Sequence, residues 1–289
     1  MQTSTAAGEL HPGTRIGGRY LIEGRLGRGG FAAVYRARQD NLGRPVALKV
    51  LRPHPRIDLG EQHERLRREA VALSRLSAPG CVRIYDWGEL PDGRPWIAQE
   101  YIAGQRLDVA LQAGAFDEER AVEVACQVLD ALADAHAHGV VHRDIKPDNI
   151  MLVAGADGRE RVKVLDFGIA RLQAPHDTES FRTTTRHVFG TPQYMAPEAA
   201  RQEVLGPTTD LYAVGILLYR MLTGREPFDG PNGYEVLRAQ VHDAVPPLTA
   251  VSWPLAAVVH QSLAKGPLDR YPSALEMRQA LRAAFASRG

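Results

Sequence analysis

At Gly104 the spacing of apolar residues changes, and that change favours a fold in which strands and helices are kept apart. Before it, short segments alternate with the period of two that a strand needs. They are 19–26 and 33–38 around a glycine-rich turn, the apolar run 45–51, and 82–87 and 95–102 joined by Leu90-Pro91-Asp92-Gly93. One helical stretch, 58–76, interrupts them, with Leu66, Leu73 and Leu76 on one face. After Gly104 the period is helical: a long helix over 116–138, a strongly apolar one over 208–222, and shorter ones near 233–242, 254–264 and 273–286. A small hairpin, 150–153 against 161–165, is the β feature expected there. Residues 166–198, rich in Thr, Arg and Pro, have little periodicity, and loops that long are usually functional or mobile. The layout is α+β: a small β-rich lobe with one helix, a connector near 100–105, and a larger helical lobe.

Composition removes several function classes. A net charge of +1 on 289 residues gives no general attraction to nucleic acid or to an acidic membrane. Cys81 and Cys126 form no CxxC, so buried, reduced thiols in a cytoplasmic protein are expected. The start, MQTSTAAGEL, lacks the basic and apolar stretches of a signal peptide. Residues 244–264 contain no Asp, Glu, Lys or Arg and match a membrane span in length. Pro246, Pro247, Pro254, His260 and Gln261 make a loop and a short helix the better reading, and no membrane span is expected. Among 35 basic residues only Lys49, Lys146, Lys163 and Lys265 are Lys. In an Arg-dominated chain each marks a place where a compact point charge replaces a planar fork.

Four stretches carry chemistry. Gly27 to Val34 has the glycines that let a backbone approach a phosphate; taken alone, it fits a tight hairpin equally well. Lys49 shares a strand face with Ala47 beneath that loop and needs an anionic partner. Of Glu61, Glu64 and Glu69 on the following helix, Glu69 falls among Leu66, Leu73 and Leu76, whereas Glu64 faces solvent. Between an apolar helix and an apolar strand lie Asp144, able to accept a hydroxyl proton, Lys146, able to neutralise a transferring phosphate, and Asn149, which offers oxygen to a hard cation. Asp166, at the end of the next apolar strand, is a second such oxygen ligand.

These stretches, in order, resemble the signature set of eukaryotic-type (Hanks-type) protein kinases, most like the bacterial Ser/Thr kinases: Gly27 to Val34, Val46-Ala47-Leu48-Lys49, Glu69, His142 to Asn149, Asp166-Phe167-Gly168 and Ala196-Pro197-Glu198. The resemblance spans 18–286. It implies an N-lobe over 18–101, a hinge over 100–104, a C-lobe over 105–286, an N-terminal extension over 1–17 and a tail over 287–289. The implied fold is the two-lobed kinase fold, and the implied reaction is transfer of the γ-phosphate of Mg-ATP to Ser/Thr hydroxyls of proteins, with Mn2+ as a substitute metal.

Position by position, the resemblance implies that Lys49 holds the ATP α- and β-phosphates and pairs with Glu69, and that Asn149 and Asp166 bind the metal. Asp144 would be the base, with Lys146 beside the γ-phosphate and Thr191 supporting both. Leu26, Gly27, Gly29, Val34, Ala47 and Met151 would surround ATP, Gln99 would be the gatekeeper, and Glu100 to Ile102 the hinge that meets adenine. Phe167, Gly168, Asp210 and a Glu198–Arg270 pair would be structural, and 190–198 would build a peptide-docking surface. Phosphorylation at Thr183, Thr185 or Thr184, with Ser180 also in the segment, would dock on Arg143, Arg171 and Arg65 and order the loop, with self-association for trans-autophosphorylation.

Two positions depart from the pattern: Ala32 replaces the third glycine, and Gln99 is polar. The resemblance also implies a cytoplasmic enzyme, either free-standing or a catalytic domain excised from a longer chain. A pseudokinase scaffold would lack Lys49, Asp144 or Asp166, and a small-molecule phosphotransferase of this fold would lack the 190–198 run; neither loss is present.

Overall fold

The computed structural model describes residues 8–29, 32–52, 59–167 and 191–288, with the side chains at 59, 61, 62 and 65 outside that description. Its contacts divide the chain into two units. The first runs to Ser74 and resumes over Arg83–Ile102; the second comprises Arg75–Val82 and everything from Ala103.

In the first unit six antiparallel strands form one sheet in the order β1-β2-β3-β4-β6-β5. They are β1 (Arg15–Ile16), β2 (Tyr20–Arg28), β3 (Ala32–Gln39), β4 (Arg44–Leu51), β5 (Ile84–Glu89) and β6 (Pro95–Glu100). The apolar run expected as a central strand is β4, flanked on both sides, with every residue from Val46 to Leu51 buried. Val46, Leu48 and Val50 enter a core with Tyr20, Ile22, Tyr35, Trp96 and Ala98. Alternation sends Ala47, Lys49 and Leu51 to the opposite face.

Helix α1 (Leu59–Leu73) packs on β5 and β6 through Leu66, Ala70 and Leu73. Truncating a buried leucine such as Leu66 to Ala costs about 2–5 kcal/mol. The helix stops three residues short of Leu76, so Leu76 is no part of the expected stripe, and Glu69 is half-buried rather than at its centre. Glu64 is paired with Arg67 and Arg68 at the exposed surface.

Two expected boundaries move. Residues 8–17 are not a mere extension: β1 pairs with β2, Leu10 packs on the core, and its N–H donates to Tyr35 Oη at 3.2 Å. The expected N-lobe, 18–101, is not continuous, because Arg75–Val82 belongs to the second unit. The N–H groups of Ser77 and Ala78 donate to Asp134 Oδ2 at 2.6 and 2.8 Å, and Gly80 O accepts from Val164 N at 2.8 Å. Buried backbone groups need partners, and those of 77–80 lie in the second unit.

That unit is mainly helical. The long expected helix is α3 (Glu118–Ala137), capped where Asp117 accepts from Arg120 N at 2.8 Å. It packs on α5 (Pro207–Thr223) and α8 (Ala274–Ala286). Helix α5 is buried at every residue from Thr209 to Tyr219, the mark of a central helix. A Cβ on its Gly215 would sit 2.4 Å from Ser262 Oγ, so glycine there permits close approach of α7 (Trp253–Ser262). The charge-free stretch 244–264 is thus a loop followed by a short helix. Among the described residues no helix is long and apolar enough to cross a membrane.

The shorter elements are α2 (Leu107–Ala110), α4 (Pro197–Ala200) and α6 (Gly233–His242). The hairpin of β8 (Ile150–Ala154) and β9 (Glu160–Val164) gains a third strand, β7 (Gln105–Arg106), too short to show a period in sequence. Both cysteines are free and buried, and burial pushes the Cys81 thiol up to about 12 and that of Cys126 up to about 11.

Candidate functional site

In the first unit the strand register places each expected residue. One row across the sheet reads Gly27, Val34, Lys49, Ile97, and the row beside it reads Arg36, Ala47, Gln99. Lys49 is therefore on the same face as Val34 and Ala47, and it is only 6% exposed. Leu26 is the unpaired residue of a β-bulge between Arg25 and Gly27, and it is exposed. Among the described residues, a Cβ added at Gly27 would meet nothing within 4 Å, and one at Gly29 would meet only Ala32 O at 3.8 Å. No described residue requires glycine at either position, and beside the described residues the bare backbone leaves room for another group.

Gln99 is buried beside Ala47. Glu100 N donates to Arg83 O at 2.8 Å, which fixes the end of β6, and Ile102, half-buried, is the last residue of this unit. Glu69 lies on α1; the side chain of Arg65 is outside the described residues, as are Gly168, Arg171, Ser180, Thr183, Thr184 and Thr185.

In the second unit the polar cluster is assembled by hydrogen bonds. Lys146 Nζ donates to both oxygens of Asp144, at 3.0 and 2.8 Å. Asn149 Nδ2 donates to Asp144 Oδ2 at 2.9 Å and to Asp144 O at 2.8 Å. Both acceptors are oxygens, so the amide nitrogen must face them, which leaves Asn149 Oδ1 as the oxygen available to a cation. Asn149 directly precedes β8 and Asp166 follows β9 by two residues, with Leu165 N donating to Asn149 O at 2.8 Å. The hairpin thus brings Asn149 and Asp166 out at the same end.

Among the described residues no group of three or more His, Cys, Asp or Glu fits a metal. Two oxygens, one amide and one carboxylate, fit Mg2+, which keeps several waters and takes phosphate oxygens from its substrate. Met151 is half-buried on β8. Thr191 begins the turn before Pro192, and among the described residues no hydrogen bond joins it to Asp144 or Lys146.

The loop that carries Asp144 is strained and anchored. Arg143 and Asp166 have φ of 68° and 63°, the left-handed region that costs an L-residue about 1–2 kcal/mol. Asp210, 1% exposed in the first turn of α5, holds the first of these. Its Oδ1 accepts from Arg143 N at 2.7 Å, and its Oδ2 accepts from His142 N at 2.8 Å. His136 Nε2 on α3 reaches the same Oδ2 at 2.8 Å.

His142, fully buried, donates from Nε2 to Leu165 O at 2.7 Å and accepts at Nδ1 from Asp144 N at 3.2 Å, and its ring lies 4.7 Å from that of the buried Phe167. Arg106 on β7 ties in the far side of the loop by donating to Asp148 Oδ1 at 3.1 Å. Arg106 escaped the sequence reading, and His136 has no role in it beyond its place on the helix. For His136 a signal existed, since it lies on the apolar side of α3 with Val122, Ala125, Leu129 and Leu132, where a polar ring needs a buried partner.

Glu198 and Arg270 form a buried pair, with each guanidinium Nη 2.8 Å from a carboxylate oxygen. Arg270 also donates to Ala264 O, Thr208 O and Lys265 O, so all five of its N–H groups are engaged. Burial would push the Glu198 carboxyl up, but Arg270 overrules it and holds the group below the usual carboxylate range. Upstream, Tyr194 Oη takes a hydrogen bond from Arg220 at 3.0 Å and donates to Glu226 at 3.3 Å, while Arg220 is itself paired with Glu226.

Comparison with known proteins agrees with this geometry. The family model described as the protein kinase domain matches residues 20–285. The chain is 40% identical over 278 residues to the serine/threonine-protein kinase pkn3 of Myxococcus xanthus, an alignment covering 94% of this chain and 51% of that protein. It is 42% identical over 271 residues to the serine/threonine-protein kinase PknB of Mycolicibacterium smegmatis, covering 90% of this chain and 42% of that one. The chain thus spans about half or less of the length of these relatives. Among solved structures, the PknI kinase domain of Mycobacterium tuberculosis superposes with a TM-score of 0.74 at 26% identity, covering 96% of this chain and 100% of that one.

Proposed function

The chain belongs to the protein kinase family, with bacterial serine/threonine-protein kinases among its relatives, and on that premise we propose that it transfers the γ-phosphate of Mg-ATP to Ser/Thr hydroxyls of proteins. The observation that carries this reading is the hydrogen-bonded group of Asp144, Lys146 and Asn149, with Asp166 at the same end of the β8–β9 hairpin. Asp144 orients the acceptor hydroxyl and takes its proton. The hydroxyl oxygen bonds to the γ-phosphorus as the bond from that phosphorus to the β–γ bridging oxygen breaks, and ADP leaves. Lys146, already beside Asp144, offsets the charge on the transferring group.

Asn149 Oδ1 and Asp166 would hold Mg2+, or Mn2+ in its place, which supplies charge neutralisation to the phosphates. Lys49, paired with Glu69, holds the α- and β-phosphates, and the space beside Gly27 and Gly29 admits the phosphate backbone. Val34, Ala47 and Met151 sandwich the adenine, Leu26 lines the ATP site, Gln99 is the gatekeeper, Glu100 to Ile102 are the hinge, and residues 190–198 dock the substrate peptide. Phosphorylation at Thr183, Thr184 or Thr185, received by Arg143, Arg171 and Arg65, switches the enzyme on. Intact-mass measurement and peptide mapping after incubation with ATP test the switch: an active enzyme with no phosphate over residues 180–185 refutes it.

The deciding assay is transfer of labelled γ-phosphate to the protein itself and to a generic basic protein. Wild type is expected to transfer, and Asp144→Ala and Asp166→Asn to fail while melting near the wild-type temperature. No transfer by well-folded wild type would favour a binding scaffold instead.

A further inference from the structure

Gln240 is a buried polar side chain to which the reaction above assigns no part. It lies in the last turn of α6 and is 0% exposed. A buried amide is costly unless both its ends are satisfied. Here they are satisfied by two different elements. Tyr212 Oη, on α5, donates to Gln240 Oε1 at 2.5 Å. Burial raises the Tyr212 phenol above its ordinary range, so it remains a donor. Gln240 Nε2 donates to Gln193 O at 2.6 Å and to Pro192 O at 3.4 Å.

The backbone of α6 is tied down at the same place. Lys265 Nζ donates to Gln240 O at 2.7 Å and to Ala239 O at 3.4 Å and lies 4.0 Å from the centre of the Phe228 ring. A compact ammonium thus serves the carbonyls at the negative end of that helix.

We propose that Gln240 is a positioning residue for the protein substrate: its amide sets the orientation of the Pro192 and Gln193 carbonyls and thereby the shape of the turn on which the peptide docks. The inference rests on the kinase reading, in which 190–198 is the docking surface. Packing alone does not explain the choice of side chain, because methionine fills a similar volume with no polar atoms to satisfy. An amide that spends both N–H groups on two successive carbonyls fixes their direction. Tyr194, held by Arg220 and Glu226, anchors the turn by its side chain, and Gln240 anchors it by its backbone.

The test uses the whole chain and compares Gln240→Met, Gln240→Glu and Tyr212→Phe. Gln240→Glu keeps the acceptor for Tyr212 but turns a carboxylate oxygen toward two carbonyls. Steady-state kinetics with a Ser/Thr peptide acceptor, a randomised peptide library and thermal melting are the readouts. Both Gln240 variants are expected to raise peptide KM by about tenfold, as the loss of one or two buried hydrogen bonds implies, and to change library preference, with KM for ATP within about twofold of wild type. Tyr212→Phe is expected to lower Tm but leave peptide KM within about threefold.

Unchanged peptide KM and preference in folded Gln240 variants overturn the inference alone. So does a peptide KM that tracks Tm alike in all three variants. If Gln240→Met does not fold, Gln240→Asn, shorter but still polar, carries the same expectation. Wild type that transfers phosphate to no peptide or protein overturns the kinase reading, and this inference with it.

Discussion

The two units hold their chemical groups by different means. In the sheet, Lys49 and Gln99 sit where they do because β4 and β6 are paired along their length, so backbone hydrogen bonds fix the side-chain positions. In the helical unit, Asp144 stands on a loop whose course depends on a few polar side chains, chiefly the buried Asp210 and His142 and the half-buried His136, and on a backbone held at positive φ. A ladder spreads its support over many residues and tolerates the loss of one side chain. A network of three or four polar groups does not.

The sharpest separation should come from paired substitutions at the chemistry itself. Lys49→Arg and Asp144→Ala are each expected to lower kcat by roughly 10²–10⁴-fold, since one loses a compact ammonium and the other a general base. Lys49→Arg should leave urea stability near wild type, because the charge is kept and the backbone pairing of β4 with β3 and β6 is unchanged. A Lys49→Arg protein with near-normal turnover would remove the argument for Lys at that site.

Arg270→Met should cost about 3–5 kcal/mol in denaturant unfolding, because it leaves the Glu198 carboxylate buried without its partner. The pair also predicts an acid limb. The Glu198 carboxyl is depressed in the folded state, so its stabilisation is fully present above the unfolded value, about 4.3, and is lost as pH falls through the lower folded value. Glu198→Gln should flatten that limb. An unchanged acid slope would mean that other carboxylates set it.

His136→Phe should cost about 1–2 kcal/mol and lower kcat with little change in KM for ATP, since Asp210 loses one of its three donors and Arg143 is held less firmly. Stability lost with kcat intact would break the distinction between loop and ladder. The smallest effect on folding is expected for Gly27→Ala, within about 0.5 kcal/mol, because the added methyl meets nothing among the described residues. Its KM for ATP should nevertheless rise, and an unchanged value would show that the space beside Gly27 is not used.

Much of this was legible in the chain. Periods of 2 and 3.6 are local properties, so β4, α3, α5 and the β8–β9 hairpin stood out, as did the polar run from His142 to Asn149. What stayed hidden depends on partners distant in sequence. Gln240 acts on a residue 47 positions away, and Asp210, which the family resemblance marked as structural, reaches a partner 67 positions away that no local pattern announces. Strands of two residues, β1 and β7, have no period to read.

The stripe on α1 misled because helical spacing was carried past Ser74, where the chain leaves the helix for partners near Asp134 and Gly80 finds Val164. The scarcity of lysine pointed to more than expected. None of the four is exposed, and Lys163 and Lys265, silent in the sequence, each donate to backbone carbonyls.

The segment Arg75–Val82 has a consequence for how the chain is made and cut. Its partners, Asp134 and Val164, lie more than fifty residues downstream, so during synthesis the segment must wait, unpaired, until α3 and β9 have emerged. For the same reason, cleavage after Ile102 would not yield two self-sufficient fragments. The shorter one would carry Cys81 and Val82, apolar residues buried in the intact chain, away from the residues that cover them. A bipartite reporter built from this fold is better divided in an exposed turn such as Ala156–Gly158, where both strands of the hairpin can find each other again.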